Sequence, residues 1–206
     1  PYTDLKPERK LEFAENLEIL RISTLPKLRS FYEGKAQSFL NLKELYVDYC
    51  PMLETVFSSN QLLENLETLQ IKFCGILKTV FGQSKEPEGS VQFASASKLK
   101  HLSICHCPVL ETVFSSPLLP KELETVKIEF CDKLQSVFGS EESATSELLK
   151  VSKMYLSELP ELRTIGVKLP NCVPPVWEVI NCPKLLMPEN SKPTNASEEI
   201  TEVGDH

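Results

Sequence analysis

The chain has 206 residues, of which 41% are hydrophobic and 25% charged, an ordinary composition for a folded soluble domain. Its net charge of −7 argues against nucleic acid or an anionic membrane surface as partner. No apolar run approaches the roughly 20 residues that span a bilayer.

Read from its start, the chain opens on Pro1 with no initiator Met and no signal peptide, which implies a cut point in a longer protein. A repeat then begins. LEILRISTLPKLRSF (Leu17 to Phe31) is followed by LKELYVDYCPMLETVF (Leu42 to Phe57), LETLQIKFCGILKTVF (Leu66 to Phe81), LKHLSICHCPVLETVF (Leu99 to Phe114) and LETVKIEFCDKLQSVF (Leu123 to Phe138). VSKMYLSELPELRTI (Val151 to Ile165) and a degraded PPVWEVINCPKL ending at Leu185 complete the series. The register residues Leu25, Cys50, Cys74, Cys107, Cys131, Leu159 and Cys182 recur every 23 to 33 residues. A period in the twenties fits a leucine-rich repeat, with one short strand and a return segment per coil.

Within each copy apolar and polar residues alternate, as in Leu45-Tyr46-Val47-Asp48, so Leu45 and Val47 point inward and Tyr46 and Asp48 outward. No coil can bury its own apolar residues, and each must stack on its neighbours. The expected fold is therefore an α/β-type solenoid. It is a curved stack of about seven coils over residues 1–185, with a short parallel β-sheet on the concave face. Its return segments are expected to be mostly irregular or short helices. At roughly 4.8 Å per strand the stack would be about 30 Å long. Phe57, Phe81, Phe114 and Phe138 form an aromatic spine on the far side. Pro26, Pro51, Pro108, Pro160 and Pro183 each follow a register residue, where a fixed φ and a missing N–H end the strand and start a turn. Two insertions, near 82–97 and 139–147, are rich in Gly, Ser and Glu and read as mobile loops away from the strand face. Residues 186–206 read as a disordered acidic tail, with Glu189, Glu198, Glu199, Glu202 and Asp205 against Lys192. The sequon Asn195-Ala196-Ser197 falls in that tail.

Five of the seven cysteines sit at the register position, where Leu25 and Leu159 also serve. A site that accepts Leu uses sulfur as a small hydrophobe, so buried, reduced thiols and a cytosolic or nuclear setting are expected. Cys105-His106-Cys107 resembles part of a metal site. Structural zinc needs four convergent ligands, and the nearest candidates, Cys74 and Cys131, are core positions. No metal is expected. An enzyme is not expected either: His101, His106 and His206 stand at no motif spacing from Ser or Asp.

The register Cys followed by Pro-x-Leu, alternating with Leu-Pro-x-Leu, carries a resemblance. In NLKELYVDYCPMLETVF, KLKHLSICHCPVLETVF and MYLSELPELRTI the chain resembles the C-terminal leucine-rich-repeat domain of plant nucleotide-binding disease-resistance proteins, especially the coiled-coil-bearing class. The resemblance covers Leu17 to Leu185. It implies a cytoplasmic immune receptor that senses a pathogen effector or a guarded host protein, with the repeats restraining the nucleotide-binding switch. The chain lacks the phosphate loop Gly-x-x-x-x-Gly-Lys-(Ser/Thr), so no cofactor is expected in it, and nucleotide would belong to an N-terminal domain of the receptor. A ubiquitin-ligase substrate receptor is the alternative. Its repeats usually continue Cys-x-x-Ile-Thr-Asp-x-Gly, whereas Cys50 is followed by Pro-Met-Leu-Glu.

A solenoid binds through the strand-face residues that alternate with the core. The candidate partner-binding residues are Tyr46, Asp48, Tyr49, Gln70, Lys72, Phe73, Ser103, Cys105, His106, Lys127, Glu129, Phe130, Tyr155 and Glu158. Tyr49, Phe73, His106 and Phe130 are consecutive in the column before the register site. Such a column either contacts a partner or packs over the coil edge. Asp48 beside Lys72, and Lys127 beside Glu129, read as ordinary charge pairs worth under ~1 kcal/mol each. The mixed signs favour a protein partner.

Overall fold

The computed structural model describes residues 16–29, 39, 41–57, 63–81, 83–85, 91–93, 96–114, 120–138, 151–166 and 176–186. Its strands, in chain order, are β1 (Ile19–Ser23), β2 (Glu44–Asp48), β3 (Thr55–Phe57), β4 (Thr68–Lys72), β5 (Thr79–Phe81), β6 (Gln83–Lys85), β7 (Val91–Phe93), β8 (His101–Cys105), β9 (Thr112–Phe114), β10 (Thr125–Glu129), β11 (Ser136–Phe138), β12 (Lys153–Ser157) and β13 (Val176–Ile180). Seven of them form one parallel sheet in the order β1-β2-β4-β8-β10-β12-β13. One strand of this sheet comes from each of the seven copies of the repeat.

Register follows the repeat letter by letter. Leu45 pairs with Leu69, Leu69 with Leu102, Leu102 with Val126, and Val126 with Met154. The interior strands β2 and β4 alternate half-buried and buried residues, as the sequence alternation demands. In the second coil Leu42, Leu45, Val47, Cys50, Leu53, Val56 and Phe57 all lie in the buried core. At the ends the core thins. Leu20 and Ile22 on β1 are only partly buried, since β1 has one sheet neighbour among the described strands. Trp177 takes the place of Leu45 in the seventh coil, and its Nε1 is buried without a hydrogen-bond partner. That orphan donor costs about 1–3 kcal/mol and marks the least adapted copy.

The return segments differ from expectation. Among the described residues they contain no helix. The chain turns at once after the register residue: the amides of Leu53, Leu110 and Leu134 donate to the carbonyls of Cys50, Cys107 and Cys131 at 3.1–3.2 Å. These are four-residue turns in which Pro51 and Pro108 occupy the second position, the one a fixed φ near −65° suits. Gly75 and Asp132 stand there in the copies without proline. Two residues beyond the end of each of these turns the chain extends again, and β11-β9-β5-β3 form a second parallel sheet. Its Thr-Val-Phe and Ser-Val-Phe letters are strand formers. This sheet carries the aromatic spine: Phe57–Phe81, Phe81–Phe114 and Phe114–Phe138 stack at 5.2, 4.9 and 5.3 Å. The insertion at 82–97 also differs from a plain loop, because β6 and β7 pair antiparallel within it. The insertion at 139–147 and the tail beyond Leu186 lie outside the described residues.

The register thiols have a specific role. Each donates to the carbonyl two residues back in its own strand: Cys50 to Asp48 (3.6 Å), Cys74 to Lys72 (3.5 Å), Cys107 to Cys105 (3.7 Å), Cys131 to Glu129 (3.4 Å) and Cys182 to Ile180 (3.4 Å). Leucine cannot do this, which is the physical reason for cysteine at the bend. The six described cysteines are unbridged. Burial pushes the Cys50 thiol up. Contact with the next thiol in the ladder, then burial, pushes up Cys74, and contact with Cys131 does the same at Cys107.

Two outcomes test this packing. Val47→Asp places an unpaired charge in the core between Ile22 and Ile71, and should lower stability by more than about 4 kcal/mol. Gln70→Ala, on the other face of the sheet, should stay within about 0.5 kcal/mol. Denaturant unfolding followed by circular dichroism reads both. Second, raised thiol pKa values leave little thiolate at neutral pH. Alkylation of the native protein should therefore be slow at Cys50, Cys74 and Cys107 and accelerate as pH rises. Denaturation without reductant should make all six described thiols reactive by mass analysis. A pair that resists labelling there would show a disulfide.

Candidate strand-face recognition site

The outward residues of the seven strands line up in columns because the sheet is parallel and in register. Tyr46, Gln70, Ser103, Lys127 and Tyr155 form one column, and Asp48, Lys72, Cys105 and Glu129 the next. The structure thus brings together the residues expected to share a face. A further outward column, Glu44, Thr68, His101, Thr125 and Lys153, lies one step toward the strand starts and was missed. Extending the period-2 alternation two residues upstream would have found it.

The first column begins with a built cluster. The Arg21 guanidinium lies 4.4 Å over the Tyr46 ring. Arg21 also sits 3.9 Å from the Glu44 carboxylate, and Tyr46 Oη donates to Glu44 Oε2 at 2.9 Å. That bond to Glu44, with some burial and the carboxylate charge, holds the Tyr46 phenol above its ordinary range. Arg21 stands in the same column and belongs with the site, although it was not among the candidates.

Of the two charge pairs expected on this face, one forms. Lys127 Nζ lies 3.0 Å from Glu129 Oε2. Asp48 and Lys72 stand opposite each other in register, yet no ion pair joins them among the described residues, and Asp48 Oδ1 is buried without a partner. Directly opposed side chains in a parallel sheet run side by side, and the Lys72 stem does not bring its ammonium back to that oxygen. Cys105 is half-buried between these charges. Burial first, and then the Glu129 charge, raise its pKa, so its thiol stays protonated at neutral pH.

The last column has a property that its letters hide. Thr24, Tyr49, Phe73, His106, Phe130, Glu158 and Asn181 all take left-handed backbone, with φ between 51° and 58°. Of these, Asn181 and His106 are of residue types enriched there. This conformation turns the chain from strand to bend while keeping the amide in the ladder: Tyr49 donates to the Lys72 carbonyl, Phe73 to Cys105, His106 to Glu129 and Phe130 to Ser157, at 3.0–3.1 Å. Left-handed backbone costs a non-glycine residue about 1–2 kcal/mol. The side chains offset part of it. Tyr49–Phe73, Phe73–His106 and His106–Phe130 stack at 4.5, 4.7 and 4.6 Å with planes within 13°, and such pairs contribute about 0.5–1.5 kcal/mol each. The rings pack on one another and do not fold into the core: Tyr49 is 53% exposed and Phe130 43%. Glu158 continues the column without a ring, and Asn181 Nδ2 donates to its Oε1 at 2.5 Å.

Cys105, His106 and Cys107 diverge, as the alternation predicts. Cys107 is buried, Cys105 faces the sheet surface, and His106 is in the ring stack. Among the described residues no three His, Cys, Asp or Glu side chains are grouped to hold a metal ion. No helix there is long and apolar enough to cross a membrane.

These features have known counterparts. The family model described as "Plant disease resistance protein RPS2-like, leucine-rich repeats" matches residues 3–75, 35–138 and 85–178. An Arabidopsis thaliana protein, "Putative disease resistance protein At4g19050", is 28% identical over 226 aligned positions, which cover all of this chain. The chain spans 18% of that relative's length. No solved structure matches it. The chain belongs to the RPS2-like leucine-rich-repeat family of plant disease resistance proteins.

Proposed function

We propose that the chain is the protein-recognition and autoregulatory module of a plant intracellular immune receptor. Its strand face senses a pathogen effector or a guarded host protein in the cytoplasm. The same repeats restrain the receptor's nucleotide-binding domain, which holds the nucleotide; the repeats themselves carry no cofactor and catalyse nothing.

The observation that carries this reading is the row of four stacked, solvent-facing rings along the edge of the strand face. Rigid aromatics concentrate binding energy at protein interfaces and lose little entropy on contact. The columns beside them hold Tyr46, Gln70, Lys127, Tyr155, Asp48, Lys72 and Glu129, charges of both signs interleaved with hydroxyl and amide groups. A polyanion would select a field of one sign, whereas a folded partner matches mixed charge point by point.

The test is a triple substitution at Tyr49, Phe73 and Phe130 in the full receptor. Alanine removes the rings. Asparagine removes them too and tolerates the left-handed backbone, so the asparagine variant keeps the repeats folded. Both should abolish pathogen-triggered cell death in leaf tissue, and the asparagine variant should unfold at a temperature close to the parent's. An unchanged response together with a lowered unfolding temperature would show that the column serves packing alone.

A further inference from the structure

The ring stack stops at Phe130, because the next two residues of the left-handed column are Glu158 and Asn181. At that step an open groove of about 690 Å³ runs along the coil edge. Phe130 lines one end, Pro160 and Leu185 give it apolar walls, and its charged lining residues are Asp132 and Glu158. No lysine or arginine is among its lining residues. Asn181 holds one oxygen of Glu158. Among the described residues no cation pairs with either carboxylate.

We infer that this groove is a subsite for an arginine side chain of the protein partner, its guanidinium stacked on Phe130 and paired with Glu158 and Asp132. This rests on the reading of the strand face as a protein-binding surface. The chemistry is that of a planar, weakly hydrated cation with a fork of donors, which satisfies an aromatic face and a carboxylate at once. Lysine offers a point charge and no plane to extend the stack. The chain already binds one of its own arginines this way. At the opposite end of the sheet Arg21 lies 4.4 Å over Tyr46 and 3.9 Å from Glu44. The groove repeats that pairing of ring and carboxylate and lacks the cation. The stack spacing of 4.6 Å between His106 and Phe130 is within the reach of a guanidinium over a ring, about 6 Å to the centroid. An arginine would occupy the layer that a fifth ring would have filled.

The probe is an acetylated, amidated Gly-Arg-Gly peptide titrated into the isotope-labelled chain and read by amide chemical shifts. Saturable shifts at Phe130, Glu158 and Asn181 are expected. The citrulline peptide, planar and neutral, should give none, and the lysine peptide should bind more weakly. Asp132→Asn with Glu158→Gln should weaken the arginine peptide about tenfold or more. That variant keeps all four rings, so its result speaks to the arginine site, while the ring substitutions in the receptor speak to the strand face. Equal shifts from arginine and citrulline peptides, or undiminished binding by the double variant, would overturn the inference. Should the double variant fail to fold, Phe130→Asn decides the same question: arginine binding that survives loss of the ring overturns it.

Discussion

Every feature of this protein depends on one constraint: a coil of about two dozen residues cannot bury its own apolar side chains. Each coil is covered only by the next, one strand spacing away. Leu69 is buried because Leu45 and Leu102 flank it in register, and the same holds for Ile71 between Val47 and Ile104. A shift of one residue would move a whole strand's leucines to the solvent face. The repetition of letters is therefore the physical condition for a core. It also explains why insertions fall in the return segments, where no column is interrupted.

The inward half of the structure was legible for that reason. Period-2 alternation and the spacing of Leu25, Cys50, Cys74, Cys107, Cys131, Leu159 and Cys182 were enough to place the seven strands and their register. The return segments were less legible. Thr55-Val56-Phe57 has the same letters whether it caps a turn or forms a strand, and only pairing with Thr79-Val80-Phe81 decides it. The bend was hidden for a different reason. A left-handed residue usually announces itself as Gly or Asn, and here six of the seven positions carry something else. Asn181 was the one visible sign. The outer columns were legible in position alone. Sequence could place Asp48 opposite Lys72, but whether two side chains meet is settled by rotamers and stem length.

The bend also explains why cysteine and aromatics occur next to each other in the repeat. The left-handed residue points its side chain out along the coil edge, and the next residue points in. The inner one must fit a tight corner beside a carbonyl that already accepts an amide from the neighbouring coil, and a thiol is small and can donate to that oxygen as well. The outer one pays backbone strain, and a flat side chain that stacks on its neighbours recovers some of it. The pairs Tyr49-Cys50, Phe73-Cys74, His106-Cys107 and Phe130-Cys131 are four solutions to the same local problem.

A surface built this way has a property that scattered surface aromatics lack. Each ring is held by a backbone that cannot relax without breaking its ladder bond, and by a neighbour against which it is already stacked. Little conformational entropy remains to be lost when a partner binds. The ends of such a stack differ from its middle, since an interior ring has both faces covered and a terminal ring has one free. At the Tyr49 end the next column residue is Thr24. At the Phe130 end it is Glu158, a carboxylate already steered by Asn181. The two ends therefore differ in chemistry, a hydroxyl-bearing residue following the stack at one and a carboxylate at the other. A partner that engages both would be read for direction as well as for composition.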